Sequence, residues 1–218
     1  MKHLFFFLLT LLAFQFSQAQ QAPFQDEINQ FKQQDKQHFP PKNAILFVGS
    51  SSFRKWTDVQ NYFPGYTIIN RGFGGSTLPD VIHYAPDIIF PYHPKQIVIY
   101  CGDNDLASSD TVTAETVFER FKTLFTMIRQ KQPDVSVVFV SIKPSPSREN
   151  LMPKMKQANT LIQQFLKTQQ HAAYVDVFTP MLNDAGKPRE ELFLEDMLHM
   201  KPAGYAIWKK ALQPYLIK

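Results

Sequence analysis

Three consecutive serines at residues 50–52 follow Gly49 at the end of an apolar run, and they could supply a nucleophile. A serine hydroxyl attacks a carbonyl carbon when an imidazole accepts its proton and a carboxylate orients that imidazole. Asp196 and His199 lie three residues apart, so one tight turn could bring them within hydrogen-bond distance. Taken alone, the serine run is equally consistent with a turn and a helix cap. The choice therefore depends on what the rest of the chain places beside it.

Two further polar segments could supply hydrogen-bond donors to an oxyanion. Residues 70–75 contain three glycines, and residues 102–105 read Gly-Asp-Asn-Asp. The tetrahedral intermediate of acyl transfer needs donors aimed at its charged oxygen, which a glycine N–H and an asparagine amide can provide. Each segment alone is also typical of an ordinary turn. Their joint occurrence with the serines and the acid–base pair favours acyl-transfer chemistry.

Alternating strands and helices must position these four segments. Predicted strands cover residues 45–48, 66–70, 96–100, 135–142 and 173–177, and predicted helices cover residues 26–38, 53–63, 77–89, 113–131, 151–169 and 202–214. Buried strands joined by helices indicate an α/β fold with a parallel sheet that is covered on both faces. Because such sheets bind ligands at the carboxyl ends of their strands, we expect the four segments to meet at one edge. The proline-rich turn at residues 143–147 is interpreted as a rigid connector.

The four segments, in this order, resemble the sequence blocks of the SGNH or GDSL esterase and lipase superfamily. The resemblance covers the chain from the first predicted strand onward. It implies a flavodoxin-like three-layer α/β/α sandwich with a five-stranded parallel sheet. It also implies that Ser51 is the nucleophile and that Asp196 and His199 are its acid and base. Gly75 and Asn104 are the implied oxyanion donors.

One position departs from the family pattern. Ser50 stands where the aspartate of the Gly-Asp-Ser block usually lies, and some branches of the family are similar in carrying serine there. That aspartate is not the nucleophile, so the predicted activity is unchanged, while Ser51 and Ser52 stay open as the attacking residue. The chain also has no Gly-x-Ser-x-Gly segment, which distinguishes it from the α/β-hydrolases.

The first residues predict export. They combine a short basic start, an apolar run at residues 4–14 that is too short to span a bilayer, and small residues before a cleavage site that follows Ala19. We predict a signal peptide at residues 1–19 and a single SGNH hydrolase domain at residues 20–218. The mature protein is expected in the periplasm or outside the cell.

Charge and spacing argue against several kinds of partner. The full chain has a net charge of +4 without a long basic run, so we predict no nucleic-acid partner and no stable membrane insertion. The histidines outside the acid–base pair show neither an HExxH pattern nor the Cys/His spacing of zinc sites, and no metal or other cofactor is predicted. Cys101, the only cysteine, lies in an apolar run and is predicted to be a small buried residue. The sequence leaves the oligomeric state open.

The predicted substrate is a small-molecule or glycan ester. The chain has no long apolar insertion that could form a lid or an acyl tunnel, and an open site favours short acyl groups such as acetyl. A lysophospholipase or thioesterase of the same family, and a non-catalytic glycan-binding protein on the same fold, are the alternatives. Four residues beside the motif segments could contact a leaving group, although helix packing is an alternative use of the two aromatic ones: Arg54, Trp56, Arg71 and Phe73.

Overall fold

A computed structural model describes residues 22–218, so the predicted signal peptide at residues 1–19 lies outside the described residues. Five strands form one sheet: β1 (Ile45–Gly49), β2 (Ile68–Gly72), β3 (Gln96–Tyr100), β4 (Ser136–Val140) and β5 (Ala172–Val175). They lie in the order β2-β1-β3-β4-β5, and every neighbouring pair is parallel. The predicted α/β fold with a five-stranded parallel sheet is confirmed.

α-Helices precede, connect and follow these strands. Within residues 22–218 they are α1 (Gln25–Gln37), α2 (Ser51–Arg54), α3 (Val59–Tyr62), α4 (Leu78–Ile88), α5 (Asp103–Ser108), α6 (Ala114–Lys131), α7 (Met152–Leu166) and α8 (Pro202–Leu212). The single helix predicted at residues 53–63 is wrong, because two short helices, α2 and α3, occupy that segment. The Asn70 side chain donates to the Phe53 and Trp56 carbonyls at 2.7 and 3.3 Å, which competes with helical bonding there.

Side chains of each strand alternate between two hydrophobic layers. In β1, Leu46 and Val48 face a layer formed with α1, α4, α6 and α7, whereas Ile45 and Phe47 face a layer formed with α2, α3 and α8. Because helices cover both faces of the sheet, all of β1 is buried. The result is the predicted three-layer α/β/α sandwich.

The strand order creates a topological switch point between β1 and β3. From β1 the chain moves to β2 on one side of the sheet and then returns to β3 on the other side. Sheets of this kind bind ligands in the crevice at such a point. The segments that carry Ser51 and Asn104 leave the sheet at the ends of β1 and β3. The fold therefore brings these two residues to the same crevice.

Candidate active site

Gly49 makes the tight turn after β1 possible. Its φ of 136° lies in a region that favours glycine, and a side-chain carbon there would lie only 1.8 Å from the Tyr100 carbonyl oxygen on β3. Because this space is open, the Ser50 N–H donates to that carbonyl at 3.0 Å. Helix α2 then begins at Ser51, so the second serine of the run stands at the carboxyl edge of the sheet.

Asp196 and His199 lie in a tight turn outside any helix. The residues at the two ends of this turn pair as an antiparallel bridge, and Met197 within it has a left-handed φ of 52°. Asp196 Oδ1 accepts the backbone N–H groups of Leu198 and His199 at 3.0 and 2.9 Å. The turn therefore folds the Asp196 carboxylate back toward the imidazole.

A continuous hydrogen-bond chain joins this pair to Ser51. Asp196 Oδ2 lies 2.5 Å from His199 Nδ1, and His199 Nε2 lies 2.9 Å from Ser51 Oγ. When Nδ1 carries its proton toward the carboxylate, Nε2 is the acceptor that faces the hydroxyl. The imidazole side chain is 15% exposed and the carboxylate side chain 46% exposed. This arrangement can transfer the Ser51 proton to the imidazole.

The hydrogen bonds to Asp196 favour its ionised form. Partial burial alone would raise the pKa of Asp196, but the bonds from the His199 ring and from two backbone N–H groups outweigh it and lower the pKa to about 2. The carboxylate is therefore charged at any pH near neutrality. A charged carboxylate in this position stabilises the imidazolium that forms when the base accepts a proton.

The glycine-rich segment packs closely against the nucleophile helix. A side-chain carbon on Gly72 would lie 2.6 Å from the Arg54 backbone nitrogen, so a larger residue would push α2 away. Asn70 Oδ1 accepts the Gly72 N–H at 2.9 Å, while the amide nitrogen of the same side chain bonds to α2. This contact fixes the start of the glycine-rich segment relative to Ser51.

Gly75 and Asn104 are neighbours at the crevice. A side-chain carbon on Gly75 would lie 3.8 Å from Asn104 Nδ2. Asn104 lies in the first turn of α5, and its Nδ2 donates to the Ser76 carbonyl at 3.1 Å. The next residue, Asp105, is fully buried and accepts the Leu78 N–H at 2.9 Å, which joins α5 to α4. The structure thus places Ser51, His199 and Asp196 in one hydrogen-bonded set, and it places Gly75 beside Asn104 at the end of the neighbouring strand β3.

Three of the four residues predicted to be available to a leaving group are buried in the protein. Trp56 and Phe73 are fully buried, and Arg71 is 8% exposed. Arg71 Nε donates to the Tyr92 hydroxyl at 2.7 Å, and Arg71 Nη2 lies 2.5 Å from Asp35 Oδ1. The leaving-group interpretation is wrong for these three residues, because packing of the helical layers covers them.

Glu27 links the nucleophile helix to the glycine-rich segment, a contact that no sequence pattern indicates. Its Oε2 lies 2.7 Å from Arg54 Nε and accepts the Gly74 N–H at 3.1 Å. Phe24, one turn earlier, packs edge-on against Phe73 with ring centroids 5.4 Å apart. Glu27 and Phe24 precede β1, and no spacing relates them to the motif segments. Their contacts depend on how α1 packs in the folded chain.

Metal-binding side chains do not cluster in the described part of the protein. Within residues 22–218, no group of three or more His, Cys, Asp or Glu side chains could hold a metal ion. In the same range, each helix is too short or too polar to cross a membrane. Cys101 is fully buried, as predicted. A surface cavity of about 420 Å³ between α7 and β5 is lined by none of Ser51, Asp196 and His199.

The fold and the site together define a class of protein: a flavodoxin-like α/β/α sandwich with a hydrogen-bonded Ser-His-Asp set at its switch point. Residues 46–207 match the GDSL-like Lipase/Acylhydrolase family, and the chain belongs to this family. The predicted family is therefore confirmed.

Similar proteins cover most of the chain. Platelet-activating factor acetylhydrolase IB subunit alpha1 from Homo sapiens is 23% identical over 180 residues, which are 80% of this chain and 75% of that protein. A GDSL-like lipase from Bacteroides thetaiotaomicron has a similar structure, with a TM-score of 0.72, 18% identity and coverage of 86% of this chain and 96% of that chain. A catalytic mutant of an acetylxylan esterase from Geobacillus stearothermophilus gives a TM-score of 0.63 at 14% identity, with coverage of 82% and 96%. These structures share the fold of this protein.

Proposed function

We propose that this protein is a serine esterase that hydrolyses short-chain acyl esters, chiefly of the acetyl type, through an acyl-enzyme intermediate. The observation that carries the proposal is the hydrogen-bond chain from Asp196 through His199 to the Ser51 hydroxyl, 2.5 and 2.9 Å long at its two links. Membership of an acylhydrolase family supports ester hydrolysis in general. The site geometry supports a nucleophilic mechanism in particular.

The proposed reaction has two halves. Ser51 Oγ attacks the ester carbonyl while His199 Nε2 accepts its proton, and Asp196 stabilises the imidazolium. The N–H groups of Ser51 and Gly75 and the Asn104 amide donate to the oxyanion. The imidazolium then protonates the leaving alcohol, which departs and leaves an acyl group on the serine. Water, activated by the same imidazole, attacks this acyl group and releases the acid. Every step uses residues of the chain without a cofactor.

Two observations support acetyl as the acyl group. Platelet-activating factor acetylhydrolase and acetylxylan esterase are both named for acetyl esters, and both resemble this chain over most of its length. Leu194 and Met197, which flank Asp196 in the sequence, are 39% and 37% exposed. Exposed apolar side chains beside the acid–base pair suit a short acyl group better than a long chain, which needs a deep pocket. Carbohydrate esters are included in the proposal.

The acyl-chain profile tests this proposal. We expect kcat/KM for p-nitrophenyl esters to be highest for acetyl and to fall at least about tenfold by octanoyl, because added methylenes find no pocket. The series runs from acetyl to palmitoyl. A rise toward palmitoyl would favour a lysophospholipase or thioesterase. Failure to hydrolyse any ester, with tight binding of an acetylated polysaccharide, would favour a non-catalytic glycan-binding protein.

We also propose that the protein is exported, because residues 1–19 have the composition of a signal peptide. Expression of the full chain in a bacterial host, followed by N-terminal sequencing of protein recovered outside the cytoplasm, tests this proposal. We expect the mature chain to begin at Gln20. Recovery of only uncleaved chain from the cytoplasm would contradict export, and the separate periplasmic and medium fractions would show where the mature chain resides.

A further inference from the structure

The side-chain amide of Asn104 is held at both ends. Its Nδ2 donates to the Ser76 carbonyl at 3.1 Å, and its Oδ1 accepts from Arg148 Nη2 at 2.9 Å. A carbonyl oxygen can only accept, and a guanidinium group can only donate. A flipped amide would therefore face oxygen with oxygen at Ser76 and N–H with N–H at Arg148. These two neighbours allow one orientation, with Nδ2 on the side of Gly75.

Arg148 is in turn held by a buried carboxylate. Asp103 Oδ2 lies 3.1 Å from Arg148 Nη1 and 3.6 Å from Lys143 Nζ. The Asp103 and Lys143 side chains are 5% and 1% exposed, and that of Arg148 is 17% exposed. Burial lowers the pKa of Lys143, while the nearby Asp103 opposes that shift. Because buried charges are stable only while their partners stay in place, this cluster gives the Arg148 guanidinium a fixed position.

The loop that carries Arg148 also contacts the acid–base turn. Ser147 donates from both its N–H and its Oγ to the Met197 carbonyl, at 3.1 and 2.9 Å. Met197 lies between Asp196 and His199 in that turn. One short loop after β4 therefore reaches the oxyanion-donor side of the site through Arg148 and the base side through Ser147.

We propose that Arg148 is a positioning residue of the oxyanion hole, which fixes and polarises the Asn104 amide so that Nδ2 faces the developing oxyanion. This inference rests on the proposed esterase function. A cation bonded to Oδ1 draws electron density from the amide and strengthens its N–H as a donor. Such a donor acts mainly in the transition state, so its loss lowers kcat with little change in KM. Arg148 acts on the reaction through Asn104.

A double-mutant cycle tests this route of action. We expect Arg148→Met to lower kcat for p-nitrophenyl acetate by about 10- to 100-fold while KM changes by less than about threefold. Asn104→Ala alone should lower kcat by about 10²- to 10³-fold. In the Asn104→Ala background, Arg148→Met should cost less than about threefold more, since the amide that it positions is gone. Losses that multiply in the double variant would overturn the proposal.

A second variant covers the case in which Arg148→Met does not fold. Arg148→Lys keeps a cation beside Asp103 but lacks the planar fork, whose Nη1 forms an ion pair with Asp103 while its Nη2 donates to Asn104. It should fold and lower kcat by about tenfold, with the same non-additivity in the Asn104→Ala background. Wild-type kcat, or losses that multiply, would each contradict the proposal. Arg189→Met, which removes a surface arginine paired with Glu191, is the matched control and should leave kcat within about twofold.

A measurement that needs no turnover separates this inference from the proposed function. Nuclear magnetic resonance can follow hydrogen exchange of the Asn104 side-chain amide, which is assigned by its disappearance in Asn104→Ala. We expect exchange at least about tenfold faster in Arg148→Lys than in wild type, because one of the bonds that hold the amide is lost. Unchanged exchange would overturn the positioning role whatever the activity. Absence of ester hydrolysis by wild type would overturn the proposed function, whereas faster exchange in Arg148→Lys would still show that Arg148 fixes the Asn104 amide.

Discussion

Replacing Ser51 with alanine is expected to lower kcat for p-nitrophenyl acetate by about 10⁶-fold. Ser51 Oγ is the group that lies 2.9 Å from His199 Nε2, so its removal leaves the base without a nucleophile to activate. The neighbouring Ser52 is 2% exposed and is turned into the protein, so it cannot take over. Steady-state kinetics of both proteins give kcat. Mass spectrometry of rapidly quenched wild-type enzyme should place the acetyl group on Ser51.

Ser52→Ala is the matched control, because it removes the same atoms one residue further along α2. We expect it to keep kcat within about tenfold of wild type, since its hydroxyl is outside the hydrogen-bond chain to His199. The pair of variants also decides between the two serines that the sequence alone leaves open. Retention of most activity by Ser51→Ala, or acetylation at Ser52, would contradict the assignment of Ser51 as nucleophile.

The fold could be predicted where the pattern of residues is local. The continuous apolar runs of β1 and β3 and the helical spacing in α6 depend on each element alone, and all three are present as predicted. The sequence pattern does not predict helix α5, because its six residues are too few to show a helical period. The break between α2 and α3 was also missed, since it depends on the Asn70 side chain, which reaches α2 from β2.

The candidate site likewise contains residues that the sequence can place and supporting contacts that it cannot. Asp196 and His199 are close in sequence, so their contact could be inferred from spacing. Ser51, Gly75 and Asn104 follow three strands of the sheet. Because the carboxyl ends of parallel strands lie at one edge, the sequence could place these three residues there. The topology of the sheet is therefore enough to predict that these residues lie at the same edge.

The supporting contacts could not be inferred from spacing. The proline-rich loop after β4 reads as a rigid connector, yet Arg148 at its end bonds to Asn104 on α5. Glu27 on α1 likewise reaches Gly74, which lies 47 positions further along the chain. In the sequence, an arginine or a glutamate at such a position cannot be distinguished from an ordinary surface residue. Its partner is determined only after the helices have packed onto the sheet.

Asp196→Asn should show how the carboxylate controls the imidazole. Asp196 Oδ1 accepts two backbone N–H groups, at 3.0 and 2.9 Å, and Oδ2 faces His199 Nδ1. An asparagine in this place must turn its oxygen toward the backbone donors, so its NH₂ group faces Nδ1. Nδ1 then has to accept, and the ring proton moves to Nε2, the nitrogen that should take the Ser51 proton. We expect kcat to fall by about 10⁴-fold, with KM and folding little changed.

The pH dependence sharpens this prediction. The pKa of Asp196 is lowered from 3.8 to about 2, so the carboxylate loses its charge only as the pH falls toward that value. The kcat of wild type should therefore exceed that of Asp196→Asn at every pH from about 5 to 9, because the carboxylate stays ionised throughout that range. Glu195→Gln removes an exposed carboxylate one residue away and should leave kcat within about twofold. If Asp196→Asn keeps more than about a tenth of wild-type kcat, the ring orientation does not depend on this carboxylate and the triad assignment is wrong.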